Sequence, residues 1–579
     1  MSQSPAWNLE SEFPSIQSPE FQQDYQFAQK MIQQYPKPES KEISLSELIQ
    51  AIHLERDAYT AILNMMFHCM NLEAIDTKDQ EAKKWSKTLR DLYGDLNVAY
   101  MPYKLAIQNL SDSDFNQLVS DKNIEGEKFV LQHQRKLKDQ ILSPAEEVIL
   151  EKMRAPGSDG WSDLYEKTCA EMKVEVEING EKKILSLGQA QSMVRGTVEV
   201  EKKAAFVGMQ KAWKQQESTP AQALNAMADW SYREMEMRSK NKKIHFLDHS
   251  LHSNRISSAT VTTMMAEIQR VLPQLQKSLV GMAKILGKPK LEPWDMVCAG
   301  PESSGQIPFD KGFSYIKEGF SKVDAELGQF AELMLQNRWI EARDIESKGT
   351  GGYCMTYPKS RTPRIFQIYR GSYSDIFTVA HELGHAYHAW VMRDLPLRMV
   401  DYPSTLAETA STFGEFALFD HIKGELGENP QVHWLFLERL HGYLINVVAR
   451  FHFEKEFYEQ RQKGILSAQE ISDLQVKVWK QWYGDGVTEI ETHFWANKGH
   501  FYVPGPAFYN YPYTVGYLFS LSIYAQRERL GAKFWPTYKE LLRDTGVMTC
   551  EDLVQKHLGY DLREPQFWRD GLESLIAKI

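Results

Sequence analysis

Within Thr378-Val379-Ala380-His381-Glu382-Leu383-Gly384-His385-Ala386-Tyr387-His388, the pattern His-Glu-x-x-His constrains the fold more than any other stretch of the chain. Apolar residues at Ile376, Val379, Leu383, Tyr387 and Trp390 recur at the spacing of a helix with one buried face. On such a helix His381 and His385 stand one turn apart and point the same way, so both imidazoles can reach a single Zn²⁺. Glu382 falls about 100° further round, where its carboxylate can face a water on that metal rather than the metal itself. The pattern asks for a rigid helix whose neighbours complete the coordination, and it points to metal-assisted hydrolysis.

A catalytic zinc needs a third protein ligand and one open position. The continuation x-x-Gly-x-x-His fails here, because position 388 is His and position 391 is Val. His388 lies seven residues beyond His381, about 10 Å along a helix axis, too far to share the ion, which leaves it a hydrogen-bonding role beside the site. After the loop Asp394 to Pro403 a second helix is predicted through Leu406 to Phe416, carrying Glu408 and Glu415 two turns apart. Thr405-x-x-Glu408 also reads as a capping box. A carboxylate in the first turn of a helix packed against the metal helix is well placed to bind a cation, and this reading of Glu408 is favoured, with Glu415 then orienting a ligand histidine. Ser374-Asp375 is the predicted cap of the metal helix.

Just upstream the period changes. Gly349 to Tyr357 and Arg364 to Tyr369 read as two short strands around a Pro-containing turn. A strand pair bordering a metal site can hold an extended peptide as an added strand, which makes Gly351, Gly352 and Tyr353 candidate substrate contacts. The glycines do not form a phosphate loop, since no Gly-Lys-Ser/Thr follows. They also suit a turn that permits close backbone approach.

The rest of the chain is dominated by helical period. Ser18-Pro19 opens a helix with Phe21, Tyr25, Ala28 and Ile32 on one face, and Ser143-Pro144-Ala145-Glu146 opens another that should stop before Ala155-Pro156-Gly157. The exception is Val174 to Leu185, where alternating runs flank Asn179-Gly180 and predict a β-hairpin with a type I′ turn, read as a surface element without catalytic part. It separates two helical stretches, so a boundary is placed near 190: a helical N-terminal domain (1–190) and a catalytic domain (191–579). A Pro/Gly-rich interruption at 300–308 breaks the helical pattern of the second part.

A formal charge of -10 over 579 residues, with only brief basic clusters such as Lys240 to Lys243, argues against nucleic-acid binding. No run approaches the roughly 18 apolar residues of a membrane span, and the first residues carry neither a basic start nor an apolar stretch, so the expected location is cytoplasmic. Five scattered cysteines fit a reducing compartment and exclude a Cys-x-x-Cys site; all are read as packing residues, with Cys354 close to the expected site.

Residues 493–517 concentrate His493, Trp495, His500, Tyr502, Tyr509, Tyr511, Tyr513 and Tyr517 around Pro504-Gly505-Pro506. This is either a packed aromatic loop or a source of donors for a developing oxyanion.

Taken together, His381 to His388, Pro403-Ser404-Thr405-Leu406-Ala407-Glu408-Thr409-Ala410-Ser411, the opening Trp7-Asn8-Leu9, Gly351 to Cys354 and the late His500-Phe501-Tyr502 and Phe508 to Tyr513 segments resemble the thimet-oligopeptidase-type (M3) metallopeptidases, most of all their oligoendopeptidase F branch. The likeness covers nearly the whole chain. It implies a mainly α, elongated, neurolysin-like zincin body split by a deep channel, with zinc at its floor and a small β-sheet beside it. It implies Zn²⁺ on His381, His385 and Glu408, and Glu382 as general base. Oxyanion donors follow as His500, Tyr509 and Tyr513, with Tyr511 and Tyr517 in reserve. The implied activity is hydrolysis of internal bonds in oligopeptides. The competing readings are a zinc carboxypeptidase or dipeptidyl carboxypeptidase, and a peptide-binding protein that no longer cleaves.

Overall fold

The computed structural model describes residues 4–35, 43–240, 242–301, 305–427, 429–505 and 507–579. Residues 302–304 of the Pro/Gly-rich interruption, Asn241 of the basic cluster and Pro506 of the aromatic segment lie outside them. The chain is mainly helical, with two small sheets.

Local sequence signals set the element starts. Helix α1 (Pro19–Gln33) begins where predicted, with Ser18 accepting from the Phe21 N–H and Pro19 in the first turn. It packs on α2 (Leu45–Ile75), which packs on α3 (Gln80–Asn109), around a core of residues such as Ala28, Leu48, Ile62, Leu96 and Tyr103. The helix opened by Ser143 ends at Arg154 as expected, its capping box formed by Glu146. The hairpin is β1 (Lys173–Ile178) against β2 (Glu181–Ser186), turned at Asn179 (φ 53°) and Gly180 (φ 84°), both in the left-handed region that a type I′ turn demands. Its Val174 and Val176 are buried, and β1 lies on α4 (Glu199–Gln216), where a side chain at Gly208 would strike the Glu175 carbonyl. These two valines belong to a second, much larger apolar core that also contains the metal-motif helix.

In the other sheet, β3 (Ile340–Glu341) runs parallel to β5 (Pro363–Phe366), and β4 (Tyr353–Thr356) pairs antiparallel with β5, in the order β3-β5-β4. The predicted strand pair is present but shorter than expected. Gly349, Gly351 and Gly352 precede β4, and the two-residue β3 carried no readable alternation.

The metal motif lies on α5 (Tyr373–Val391). Its cap differs from the Ser374-Asp375 expectation by two residues. Ser372 is the N-cap, its Oγ accepting from the Asp375 N–H at 3.1 Å, while Asp375 Oδ2 accepts from the N–H groups of Ser372 and Arg370 at 2.9 Å each. Asp375 fills the N3 place of a capping box, which puts Ser374 inside the first turn.

Helix α6 (Ser404–Leu426) follows, then α7 (Pro430–His441), α8 (Val447–Arg461), α9 (Tyr511–Ala525) and α10 (Phe534–Asp544). The Thr405–Glu408 capping box does not form: α6 starts from Pro403, and Thr405 Oγ1 donates to the Asn254 carbonyl at 2.7 Å. Glu408 is thereby free of the helix end. Helix α6 packs between α5 and α9, and the α5–α6 crossing is backbone on backbone. A methyl at Gly384 would lie 2.2 Å from the Ala410 carbonyl oxygen, and one at Gly414 would lie 2.8 Å from that of Ala380. Among the described residues no helix is long and apolar enough to cross a membrane.

Candidate active site

The close crossing of α5 and α6 brings three side chains to one point. His381 Nε2 and His385 Nε2 lie 3.2 Å apart, and Glu408 Oε2 lies 3.3 Å from the first and 3.7 Å from the second. Among the described residues these are the His/Cys/Asp/Glu side chains grouped to hold a metal ion. His381 Nδ1 donates to Glu415 Oε1 at 2.6 Å, which turns Nε2 into the cluster; against burial, Glu415 and the neighbouring carboxylates raise the ring to about 9, so a cation would take the place of its Nε2 proton. Glu415 is itself gripped by Arg439; burial opposes its charge, but Arg439 and His381 keep its pKa low. Ser411 Oγ donates to Glu408 Oε2 at 2.6 Å. Burial, reinforced by the His381 ring, pushes His385 down to about 4. The donor set fits a cation: two imidazole nitrogens and a carboxylate oxygen converge on one point, the ligand types and number of a catalytic zinc site.

Glu382 takes no part in that cluster. It is buried, its Oε2 has no hydrogen-bond partner, and burial raises its pKa to about 7 against the pull of His381. The edge strand begins directly over it: a methyl at Gly352 would sit 3.0 Å from Thr378 Cγ2 and 3.6 Å from Glu382 Oε1. Gly351 (φ +98°) faces open space. Tyr353 is tied to the N-terminal helices, its hydroxyl donating to Asn71 Oδ1 at 2.9 Å and its ring stacked on Phe366. Burial pushes the Cys354 thiol well up.

The late aromatic segment divides. His500, Tyr509 and Tyr513 form one group, with ring centroids 5.1 to 6.3 Å apart and Tyr513 Oη donating to Tyr509 Oη at 3.2 Å. The helix that carries Tyr513 lies against Glu408, where a methyl at Gly516 would sit 2.9 Å from the Glu408 Cβ, so this group stands toward the metal cluster. Tyr511 points instead into the core, beside Phe451 and Ser250. Tyr517 is buried against Tyr443, 4.7 Å between centroids, with its hydroxyl unpartnered near Glu415. His388 points away from the cluster: its Nε2 meets Thr545 Oγ1 at 2.9 Å beyond α10, and its ring stacks on Tyr402.

The sequence profile of Peptidase family M3 matches residues 199–571, more than half of the chain. The chain belongs to peptidase family M3. A second profile, described as Oligopeptidase F, matches residues 107–173 of this M3 peptidase. It is 20% identical to oligopeptidase PepF of Bacillus subtilis (strain 168) over 598 aligned positions, covering 99% of this chain and 87% of that one. Among solved structures, one from Chlamydophila abortus superposes with a TM-score of 0.80 at 18% identity, covering 100% of this chain and 99% of that one. Oligoendopeptidase-F from Enterococcus faecium superposes with a TM-score of 0.69 at 19% identity, covering 96% and 97%. The M3 peptidase is thus a metallopeptidase, a hydrolase with the mainly helical fold expected. Three polar side chains of its site escaped the sequence reading: Arg439, Ser411 and Asn510. Arg439 stands 24 residues beyond Glu415 on another helix, and no spacing rule links them. Asn510 Oδ1 accepts from His500 Nδ1 at 2.8 Å and from Arg450 at 3.2 Å.

Proposed function

We propose that this M3 peptidase is a zinc-dependent endopeptidase that hydrolyses internal bonds of oligopeptides, working in the cytoplasm. The observation that carries the reading is the convergence of His381, His385 and Glu408 beside a buried carboxylate with a free oxygen, Glu382. His381, His385 and Glu408 would hold the metal. A bound Zn²⁺ supplies Lewis acidity, bringing the pKa of a water from 15.7 to about 7 and polarising a carbonyl.

Glu382 takes the proton of the attacking water and returns it to the departing amine; a pKa raised toward neutrality suits both steps. Glu415, braced by Arg439, keeps the His381 proton on Nδ1. The edge of β4 receives the substrate backbone, and Gly352 lets it approach Glu382. For the oxyanion, the hydrogen-bond network favours tyrosine over histidine. Asn510 Oδ1 already accepts from Arg450, so the amide orientation is fixed and His500 must carry its proton on Nδ1. Burial, aided by Lys498, holds the His500 ring neutral, with a pKa of about 4. Its Nε2 is therefore an acceptor, suited to a substrate N–H, and the hydroxyls of Tyr513 and Tyr509 are the donors. Tyr517 and Glu415 support the floor from behind.

The test is mass spectrometry of fragments from peptides blocked at both ends. Internal cuts are expected. Cuts only near a free C-terminus would support the carboxypeptidase readings, and intact peptides with zinc bound would support a non-cleaving binder.

A further inference from the structure

A cavity of about 800 Å³ opens at the start of α5, where Ser374, Arg439 and Tyr443 form part of its wall. It contains three cationic side chains with no part in the proton transfers above: Arg195, Arg450 and Lys498. Among the described residues none of the three forms an ion pair. Arg450 is committed to the amides of Asn446 and Asn510, and its buried Nε has no partner. Arg195 is exposed at the mouth. Burial, together with the like charges of Arg450 and Arg195, drives Lys498 down to about 7. Three carboxylates share the wall, but they are occupied or remote. Glu438 lies by Arg439, Glu491 accepts from Gln210 at 2.9 Å, and Glu489 is exposed. Like charges facing one cavity without a carboxylate partner repel one another, and an anion there would relieve that repulsion.

The topology says which end of a peptide arrives there. Among the described residues strand β4 is paired on one side only. It starts at Tyr353, opposite Phe366 and directly after Gly352, which lies against Thr378 in the second turn of α5, and ends at Thr356. Thr356 lines a second cavity, of about 260 Å³, together with Ala389 and Met392 at the far end of α5. The two cavities therefore lie at opposite ends of the metal helix. A peptide added antiparallel to β4, the more stable pairing, has its N-terminal residues toward Thr356 and its C-terminal residues toward Gly352 and the larger cavity.

We infer that the cavity at the start of α5 is a subsite for the substrate's C-terminal carboxylate, with Lys498 and Arg450 as its charge partners and Arg195 guiding it in at the mouth. The inference rests on the peptide-hydrolase reading of the site. It makes the chain length beyond the cut a determinant of specificity, because the carboxylate must reach a fixed point. An acidic side chain offers the same chemistry, so the two sources are separated in the test.

One internally quenched peptide sequence is prepared as the free acid, as the C-terminal amide, and as the amide with Glu or Gln placed after the cut. With zinc-loaded enzyme, the acid should exceed the amide about 10- to 100-fold in kcat/KM, carried mostly by KM, the scale of a lost charge-assisted hydrogen bond. Lys498→Met should bring the acid-to-amide ratio toward about 1, Lys498→Arg should preserve most of it, and Arg195→Met, at an exposed position that does not threaten folding, should reduce it. Equal rates for acid and amide overturn the inference, as does a Lys498→Met enzyme that keeps the wild-type ratio. A gain from Glu over Gln in the amide series, without an acid-to-amide difference, overturns the terminal assignment in favour of an acidic side chain. If no peptide of the series is cut, it is the peptidase reading that fails.

Discussion

Glu382 and Glu408 are both carboxylates within reach of His381, yet their surroundings give them different work. Glu408 accepts from Ser411 and is aimed at two imidazoles; Glu382 is buried with an idle oxygen and a pKa raised to about 7. Glu382→Gln should retain metal at one ion per chain while kcat falls by roughly 10²- to 10⁴-fold. Glu408→Ala should lose metal itself. Metal analysis of purified protein alongside peptide turnover separates the two, and a Glu382→Gln enzyme with more than about a tenth of wild-type kcat would sink the proton-transfer role. The histidine pair and Glu382 were legible because helix period fixes their mutual directions over five residues. Arg439 and Asn510 were not, since each meets its partner only after separate helices have packed. Glu408 stood between: its position favoured a ligand but also fitted a cap, and what removes the cap is Thr405 turning to the Asn254 carbonyl, a contact 151 residues away in the chain.

At the level of elements, the start of α5 shows how close and how far local rules reach. A Ser and an Asp at capping-box spacing were present, but Ser374 competed with Ser372, and only Ser372 stands three residues before Asp375. The hairpin was fully legible because Asn-Gly specifies its turn, whereas β3 is defined wholly by its partner. The α5–α6 crossing carries a prediction. Gly384→Ala places a methyl 2.2 Å from one backbone atom and 2.5 Å from another, so the helices must separate. Calorimetric unfolding should show a loss of roughly 1–3 kcal/mol, as for overpacked cores, and zinc titration should show weaker binding, because His385 and Glu408 move apart together. Unchanged zinc affinity would show that the ligands do not depend on this contact. The loop before α9 carries another. Phe508 adopts φ +66°, its N–H held by buried Glu454 Oε1 at 2.7 Å, and this presents Tyr509 to the site. Burial raises Glu454 to about 8, so it is already neutral at pH 7. Glu454→Gln should keep most activity, while Glu454→Leu should lower kcat with metal content intact; equal loss in both variants would refute the positioning role.

Over the whole molecule, buried titratable groups set a pH window. Burial pushes His68, His252 and His452 down to about 4 and His441 to about 3. These rings are neutral in the folded chain and take up protons when it unfolds below about pH 6.5, so stability falls as pH drops from there toward 4. Burial also raises Glu127 and Glu491 to about 7 and Glu454 to about 8. They stay protonated in the fold well above the unfolded carboxylate range, so their contribution is lost as pH rises from about 4.5 through 8. The two trends cross, and chelator-treated protein should be most stable near pH 6.5, declining on both sides. Urea unfolding from pH 4.5 to 8.5 checks this, and a monotonic rise would contradict it.

The backbone contact between α5 and α6 bears on how such a site persists through divergence. Where two helices touch through glycine, their separation is fixed by main-chain van der Waals radii, which no substitution elsewhere alters. The surrounding apolar core can then exchange residues freely without the ligands drifting out of register.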